Sequence, residues 1–286
     1  MKAQFDQKLV SSFYLWFENK LLDPNISAYQ TGLSNVYKYI EAFDIPNGYN
    51  AYQGQYRQLV AEDEVSVPNT GVFVNGSFVS SSQSNIFTDY NNGRIIVPQD
   101  SGKSLNITST STVKEVNTYL TNDNPEQVLL ESDFVIDGET FSKVYQSSSK
   151  LDEKTYFLPA CFIFPSDSEN KEFAFGGEEE TKSRIRVMVL AKNNFTLDAI
   201  LSAFRDSARE CISIINFEDF PYGAFFSLKT FPYRYNDLKS SSSENLLIKK
   251  VSASRINSSS ASEQKDKKFL IGFLDFDLST YRFPRQ

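Results

Sequence analysis

The first twenty-two residues, MKAQFDQKLVSSFYLWFENKLL, carry apolar side chains at intervals of three and four positions. Because this spacing returns side chains to one face of a helix, the segment predicts an α-helix with a wide aromatic face. Asp23-Pro24 ends the helix, since proline cannot continue it. Such a face is usually buried in its own subunit, and docking onto a partner subunit is the alternative. The face consists of Phe5, Leu9, Val10, Phe13, Trp16, Phe17 and Leu21.

A second, weaker helical pattern runs from Gly32 to Ala42. Beyond about residue 61 it gives way to short strand-like segments separated by turn residues. An Asn-Gly or Asp-Gly pair between two such segments predicts a β-hairpin, because a type I′ turn needs positive φ at both central positions. Three such pairs occur: Asn75-Gly76, Asn92-Gly93 and Asp137-Gly138. Residues 61–150 therefore predict a β-rich module of short strands.

The pattern changes again beyond residue 150. Ala160–Phe164 predicts a buried strand, and Ser166–Thr181 predicts a charged loop. Alternation from Arg184 to Val189 predicts a half-exposed strand, and Thr196 is expected to cap the helix that follows it. Three further strand candidates come next: Ala224–Lys229, Leu246–Ile256 and Phe269–Leu278.

The order of these elements predicts an α+β fold, with an antiparallel sheet flanked by helices and a β-rich hairpin module inserted. Residues 1–60 and 151–286 are assigned to the α+β core domain, and residues 61–150 to the β-rich module. Two polar runs, Lys239–Glu244 and Asn257–Lys268, have few apolar residues to anchor them, so they predict mobile loops.

The amino-acid composition excludes several classes of catalytic and binding site. The 286 residues include no histidine, which excludes histidine-based acid–base catalysis and nearly every common zinc site. Acidic residues outnumber basic ones by 36 to 29, giving a net charge of −7 that argues against gripping nucleic acid or an anionic membrane. No segment reaches the roughly 20 apolar residues of a membrane span, and no phosphate-loop motif occurs. The sequence therefore predicts no enzyme, no cofactor and no metal ion.

Two pairs of residues remain as candidate chemistry. Cys161 and Cys211 lie in apolar stretches and are expected to be buried free thiols, with a disulfide or a reactive site as the alternative. Asp275 and Asp277 share one face of a predicted strand, a spacing compatible with the two carboxyls of a glycosidase. Because many solvent-facing strands have the same spacing, a solvated face is the expected interpretation.

The aromatic-proline stretches between residues 220 and 235 are the candidate binding surface. Three interpretations stay open for them: packing on the sheet, a protein interface, or stacking on a sugar or base. The candidate interface residues here are Phe220, Tyr222, Phe231, Tyr233 and Tyr235. The tip of the first predicted hairpin, Asn75 and Gly76, is the other candidate contact.

Two passages carry a resemblance to a known class of protein. GVFVNGSFV followed by FTDYNNGRIIVP resembles β inserts of tailed-bacteriophage neck and tail proteins. RIRVMVLAKNNFTLDAILSAFRDSAREC, with the later FLIGFLDFDLS, is similar to the strand, helix and sheet order of tail terminator and tail completion proteins. Together the passages cover less than half of the chain.

The resemblance implies a structural virion protein, assembled in the host cytoplasm, that forms a ring at the neck or the tail end. Its partners would be copies of itself and other neck or tail proteins, with DNA passing through the ring without specific binding and with no membrane. The acidic charge fits such a passage, since a ring must not retain DNA. The alternative is a carbohydrate- or surface-binding β-rich accessory module, which an exposed aromatic platform with a calcium site would mark.

Overall fold

The computed structural model describes residues 5–42, 44–63, 71–80, 85–135, 154–174, 177–229, 233–242, 244–256 and 269–283. These residues form 15 strands, four α-helices and two short 3-10 turns. The helices are α1 (Phe5–Leu22), α2 (Pro125–Glu131), α3 (Asn194–Arg205) and α4 (Tyr235–Ser241). The strands are β1 (Tyr29–Ile40), β2 (Tyr49–Gln53), β3 (Gly71–Val74), β4 (Ser77–Ser80), β5 (Phe87–Asp89), β6 (Arg94–Pro98), β7 (Ile107–Lys114), β8 (Asn117–Leu120), β9 (Asp133–Val135), β10 (Thr155–Phe157), β11 (Ala160–Ala174), β12 (Glu178–Ala191), β13 (Cys211–Ser213), β14 (Asn245–Arg255) and β15 (Leu270–Arg282).

Within this described part of the chain the strands form three sheets. A seven-stranded sheet has the order β4-β3-β7-β1-β2-β6-β5, and each neighbouring pair in it is antiparallel. A six-stranded sheet has the order β13-β14-β15-β12-β11-β8 and is antiparallel except for the parallel pair β8–β11. β9 and β10 form a parallel two-stranded sheet. The fold is therefore broadly α+β and mostly strand, with antiparallel pairing as predicted.

The two large sheets group the chain differently from the predicted domains. β1 and β2, which precede residue 60, pair with strands from residues 87–114. β8 lies inside the predicted module, yet it pairs with β11 of the six-stranded sheet. The sheets are therefore not separated at residues 61 and 151, and the division into domains stays a prediction.

Helix α1 lies at the centre of the larger hydrophobic core, as its apolar pattern predicts. The Phe13 ring meets Phe276 of β15 edge-on, with centroids 5.0 Å apart. The Phe17 ring stacks on Phe204 of α3 at 3.9 Å, and Trp16 meets the same Phe204 ring at 5.9 Å. All five side chains are buried. The aromatic face is therefore core, which is the first of the two interpretations that the sequence allowed.

The prediction of a helix over Gly32–Ala42 is wrong, because most of this segment belongs to β1. β1 pairs with β7 along Leu33–Tyr37, and the register shifts between Gln30 and Leu33. Gly32 sits in that shift with φ of +74°, a conformation that glycine adopts without steric cost. Pairing with two neighbouring strands decides the structure here over a weak local pattern.

The charged segment Ser166–Thr181 is likewise not a loop. β11 runs on to Ala174 and pairs with β12 as far as Ala174↔Glu178. Residues Pro165–Ala174 are all exposed, which explains why their side chains are mostly polar and resemble those of a loop. A strand buried on neither face has no apolar alternation by which to recognise it.

Several shorter predictions have mixed outcomes. Ala224–Lys229 is not a strand, since it begins with a 3-10 turn at Ala224–Phe226. Lys239–Glu244 is partly helical, because α4 extends to Ser241. The helix-capping residue of α3 is Asn193, whose side chain accepts a hydrogen bond from the backbone N–H of Thr196. The third hairpin, at Asp137-Gly138, and the polar run Asn257–Lys268 lie outside the described residues.

Two hairpins are confirmed where the sequence placed them. β3 and β4 pair across Asn75-Gly76, with φ of +51° and +85° at the two turn residues, as a type I′ turn requires. β5 and β6 pair around Asn92-Gly93. A Cβ atom on Gly93 would lie 2.0 Å from the carbonyl oxygen of Tyr56, so only glycine fits there.

A buried ion pair holds the second hairpin. The Arg94 guanidinium donates to Asp89 Oδ2 from Nε at 3.1 Å and from Nη2 at 2.8 Å. It also donates to both carboxylate oxygens of Asp44, at 2.9 and 2.6 Å. The Asp89 side chain is 1% exposed, and it also accepts from the backbone N–H of Asn92 at 2.9 Å. A buried charge without a partner is strongly destabilising, so Arg94 and Asp89 depend on each other in the folded protein.

We expect Arg94→Gln to lower the free energy of unfolding by about 3–5 kcal/mol, because it leaves the buried Asp89 carboxylate without its cation. The matched control is Arg184→Gln, which breaks the exposed pair with Asp277 and is expected to cost less than about 1 kcal/mol. Urea denaturation of both variants provides the measurement. Equal losses in the two would contradict the assigned role of the buried pair.

The ion pair between Asp44 and Arg94 should make the stability of the protein depend on pH. Its hydrogen bonds from Arg94 lower the pKa of the Asp44 carboxyl below its usual 3.8. A lowered folded-state pKa stabilises the protein above the unfolded-state pKa, and this stabilisation is lost as the pH falls through the folded-state value. We therefore expect wild type to be more stable than Asp44→Asn at neutral pH, with the difference narrowing below about pH 4. A difference that stays constant on acidification would refute this linkage.

Candidate interaction surfaces

The aromatic-proline stretches supply mainly core residues. Tyr222, Tyr233 and Tyr235 are buried, and Phe220 is partly buried against the same core. The Tyr222 ring lies 6.1 Å from the Tyr233 ring. Phe231 lies outside the described residues. Of the three interpretations left open by the sequence, packing is the one that these positions favour.

Polar contacts fix the same tyrosines from within the subunit. The backbone N–H of Tyr235 donates to Glu62 Oε1 at 3.1 Å, and the carbonyl of Tyr233 accepts from the N–H of Asp63 at 2.9 Å. Burial, followed by the nearby charge of Glu18, raises the pKa of the Tyr222 hydroxyl. Little of these side chains is therefore available to a neighbouring molecule, and their part in an interface stays a prediction.

The first hairpin does reach the surface. Asn75 and Gly76 are exposed at its tip. Phe73 of β3 and Phe78 of β4 lie directly opposite each other, with ring centroids 5.4 Å apart, and are 46% and 53% exposed. We call these two rings the hairpin face. Sequence reasoning missed the two phenylalanines, although a two-residue Asn-Gly turn already places residues 73 and 78 opposite each other.

A second exposed aromatic pair lies on the six-stranded sheet. Phe173 of β11 and Tyr281 of β15 are 59% and 49% exposed, with ring centroids 4.4 Å apart. Phe173 is near the end of the fully exposed stretch Pro165–Ala174, which we call the β11 arm. This pair was not predicted, because the charged composition of the arm is typical of a loop.

The opposite edge of the seven-stranded sheet is covered. Phe225, in the 3-10 turn, packs its ring against Tyr49 and Phe87 at 5.5 and 5.4 Å. Phe87 belongs to the edge strand β5, so the turn shields that edge. Phe225 adopts φ of +55°, a conformation that is costly for a bulky side chain. Packing of the ring against the sheet is what offsets that cost.

The carboxylates that invited a catalytic interpretation are engaged in ion pairs. Asp275 and Asp277 accept hydrogen bonds from Arg186 and Arg184 on β12 at 2.7 and 3.1 Å, at partly exposed positions. Glu180 is bound by Lys249 and by the Ser279 hydroxyl, and these hydrogen bonds lower the pKa of Glu180 to about 2. A carboxyl with a lowered pKa is a poor general acid at neutral pH.

The two cysteines differ in environment. Cys161 is buried and Cys211 is exposed, and both are free thiols. The expectation of two buried thiols is therefore wrong for Cys211, which lies on the short edge strand β13. Burial raises the pKa of the Cys161 thiol above its ordinary value. Within the described residues, no group of three or more His, Cys, Asp or Glu side chains is placed to hold a metal ion.

Over the ranges that the structure describes, none of the helices has the length and apolar character needed to cross a membrane. The chain matches no protein-family model, and a search among curated proteins found no match.

Proposed function

We propose that this chain is a non-catalytic structural subunit of a tailed-bacteriophage virion, which forms a ring with copies of itself at the neck or the tail end. Within that proposal the subunit makes its contacts through β-strands and exposed aromatic rings. Other neck or tail proteins would bind the faces of the ring, and DNA would pass through it. We also propose that helices flank the antiparallel sheet and that the hairpin module is an insertion in the α+β core domain.

The observation that carries the proposal is the β11 arm. Its ten residues are exposed on both faces, although they pair with β12, with register shifts at Pro165/Ser168 and Glu172/Ala174. A strand that buries neither face gains little hydrophobic stabilisation within its own subunit. Phe173 and Tyr281 add exposed aromatic area beside it. An assembly contact would cover this surface, since aromatic residues are enriched in protein interfaces.

The net charge of the chain supports the proposal that DNA passes through the ring without being bound. The chain carries a net charge of −7, which disfavours retention of the DNA backbone. On the six-stranded sheet the cations Arg184 and Arg186 are each matched to an aspartate. Their charge is therefore neutralised locally, as suits a surface past which DNA moves.

The proposal predicts a ring whose mass is a multiple of the 32.5 kDa subunit. The double variant Phe173→Ser with Tyr281→Ser should reduce the assembled fraction at least tenfold, because it removes the exposed aromatic pair without touching the core. Light scattering after size exclusion measures the mass, and electron microscopy shows whether the particle is a closed ring.

The matched control is Phe195→Ser on α3, where the side chain is 89% exposed. It removes a similar exposed apolar area at a different place, and its assembly should equal that of wild type. A wild-type chain that stays monomeric at high concentration, or that hydrolyses a substrate with saturable kinetics, would contradict the proposal. Normal assembly of the double variant would refute the role of the aromatic pair alone.

A further inference from the structure

Two strand edges that the described residues leave open, one in each large sheet, suit each other: β4 and the β11 arm. We propose that β4 of one copy pairs along the β11 arm of the next copy, so that the subunits join head to tail through a shared sheet. The inference rests on the proposed function and names the contact that would build the ring. The partner is a second copy of this chain.

The first open edge is β4, the outermost strand of the seven-stranded sheet. Since Val74 and Ser77 close a two-residue turn, their backbone groups bond to each other. Hydrogen-bonded and non-hydrogen-bonded pairs alternate along an antiparallel ladder. The N–H and C=O of Phe78, which is paired with Phe73, therefore face away from β3 and are free to bind another strand.

The second open edge is the β11 arm. β8 pairs with β11 only along Ala160–Ile163. From Pro165 to Ala174, the described residues provide no strand on the outer side of β11. About half of these ten residues direct their N–H and C=O groups away from β12, since the directions alternate along the strand. Among the described residues this outward backbone is free of a neighbouring strand and is long enough to pair with the four residues of β4.

Charge distinguishes which edges can pair. The arm carries Asp167, Glu169 and Glu172 against one cation, Lys171, so two arms placed side by side would bring acidic residues together. Charged residues on an edge strand are a common protection against such self-pairing. The stretch Gly71–Ser80 has no charged residue. An uncharged edge fits the acidic arm without repulsion, and this is why we assign the contact to two different edges.

The aromatic rings supply the apolar part of the same contact. Each open edge carries an exposed pair, Phe73 with Phe78 on the hairpin face and Phe173 with Tyr281 beside the arm. Pairing the strands would let the two pairs cover each other, and cross-strand aromatic neighbours stabilise a sheet. Because the two surfaces differ, the contact is heterologous, and repeated contacts of this kind close into a ring or continue as an open chain.

Two variants with different lesions test the contact. Phe78→Pro removes the outward N–H of β4 and should leave the β3–β4 ladder intact, since proline is tolerated at such edge positions. Phe78→Glu leaves the backbone unchanged and places a negative charge on the edge that would face the acidic arm, so it serves if the proline variant misfolds. The arm variant is Phe173→Ser with Tyr281→Ser. Each protein should be a folded monomer of 32.5 kDa by light scattering and circular dichroism.

Mixing the two kinds of variant gives the decisive result. A Phe78→Pro subunit retains its arm, and an arm variant retains its β4 edge, so one contact can form between them. No third subunit can join this pair, because its remaining β4 edge and its remaining arm are both altered. The equimolar mixture should therefore contain a species of twice the subunit mass that neither variant forms alone. The same species should appear when Phe78→Glu replaces Phe78→Pro, and the Phe195→Ser control should assemble as wild type does.

The remaining outcomes separate this inference from the proposed function. Rings that persist in both variants would overturn the contact and leave the ring standing. A mixture that stays monomeric would overturn the head-to-tail pairing, since only a contact between like surfaces or another surface would then remain. A third outcome is that wild type forms open chains, both variants are monomeric and their mixture forms dimers. That outcome would support the contact and refute the ring. A monomeric wild type would overturn both.

Discussion

The position of α1 is the constraint on which the rest of the structure depends. One side of the helix packs aromatic rings against β15 and α3. Its other side carries Glu18, which forms a buried ion pair with Lys114 of β7, in the seven-stranded sheet. Burying both charges is costly unless they are paired, and the Tyr14 hydroxyl also bonds to Glu18. The ion pair and the aromatic contacts together therefore fix how the helix contacts the two large sheets.

Glu62 extends this network towards the C-terminal half of the chain. Its two carboxylate oxygens accept from Asn19 of α1 at 2.9 and 3.1 Å, and one of them also accepts from the backbone N–H of Tyr235. The same buried carboxylate thus joins the helix to the start of α4. Two exposed aromatic pairs lie away from this core, one on the hairpin face and one at the β11 arm.

The division between interior and edge makes an assembly role physically coherent. Ion pairs occupy Glu180 of β12 and Asp275 and Asp277 of β15, whereas unbonded backbone and apolar rings occur at strand edges. Backbone at an open edge gains most when another strand completes the ladder. A subunit that presents one uncharged edge and one acidic edge has both a reason to associate and a restriction on how it does so.

Local sequence by itself determined the elements whose signals are short-range. The three- and four-residue apolar spacing predicted α1, the Asn-Gly pairs placed two hairpins, and alternation in Leu274, Phe276 and Leu278 placed β15 and its buried face. Tertiary structure decided the rest. Gly32–Ala42 became a strand because β2 and β7 pair with β1, and the charged arm became a strand because β12 pairs with it. Burial of Tyr233 and Tyr235 depended on α1 and Glu62, which are far away in the chain, and such long-range contacts leave no periodic trace in the sequence.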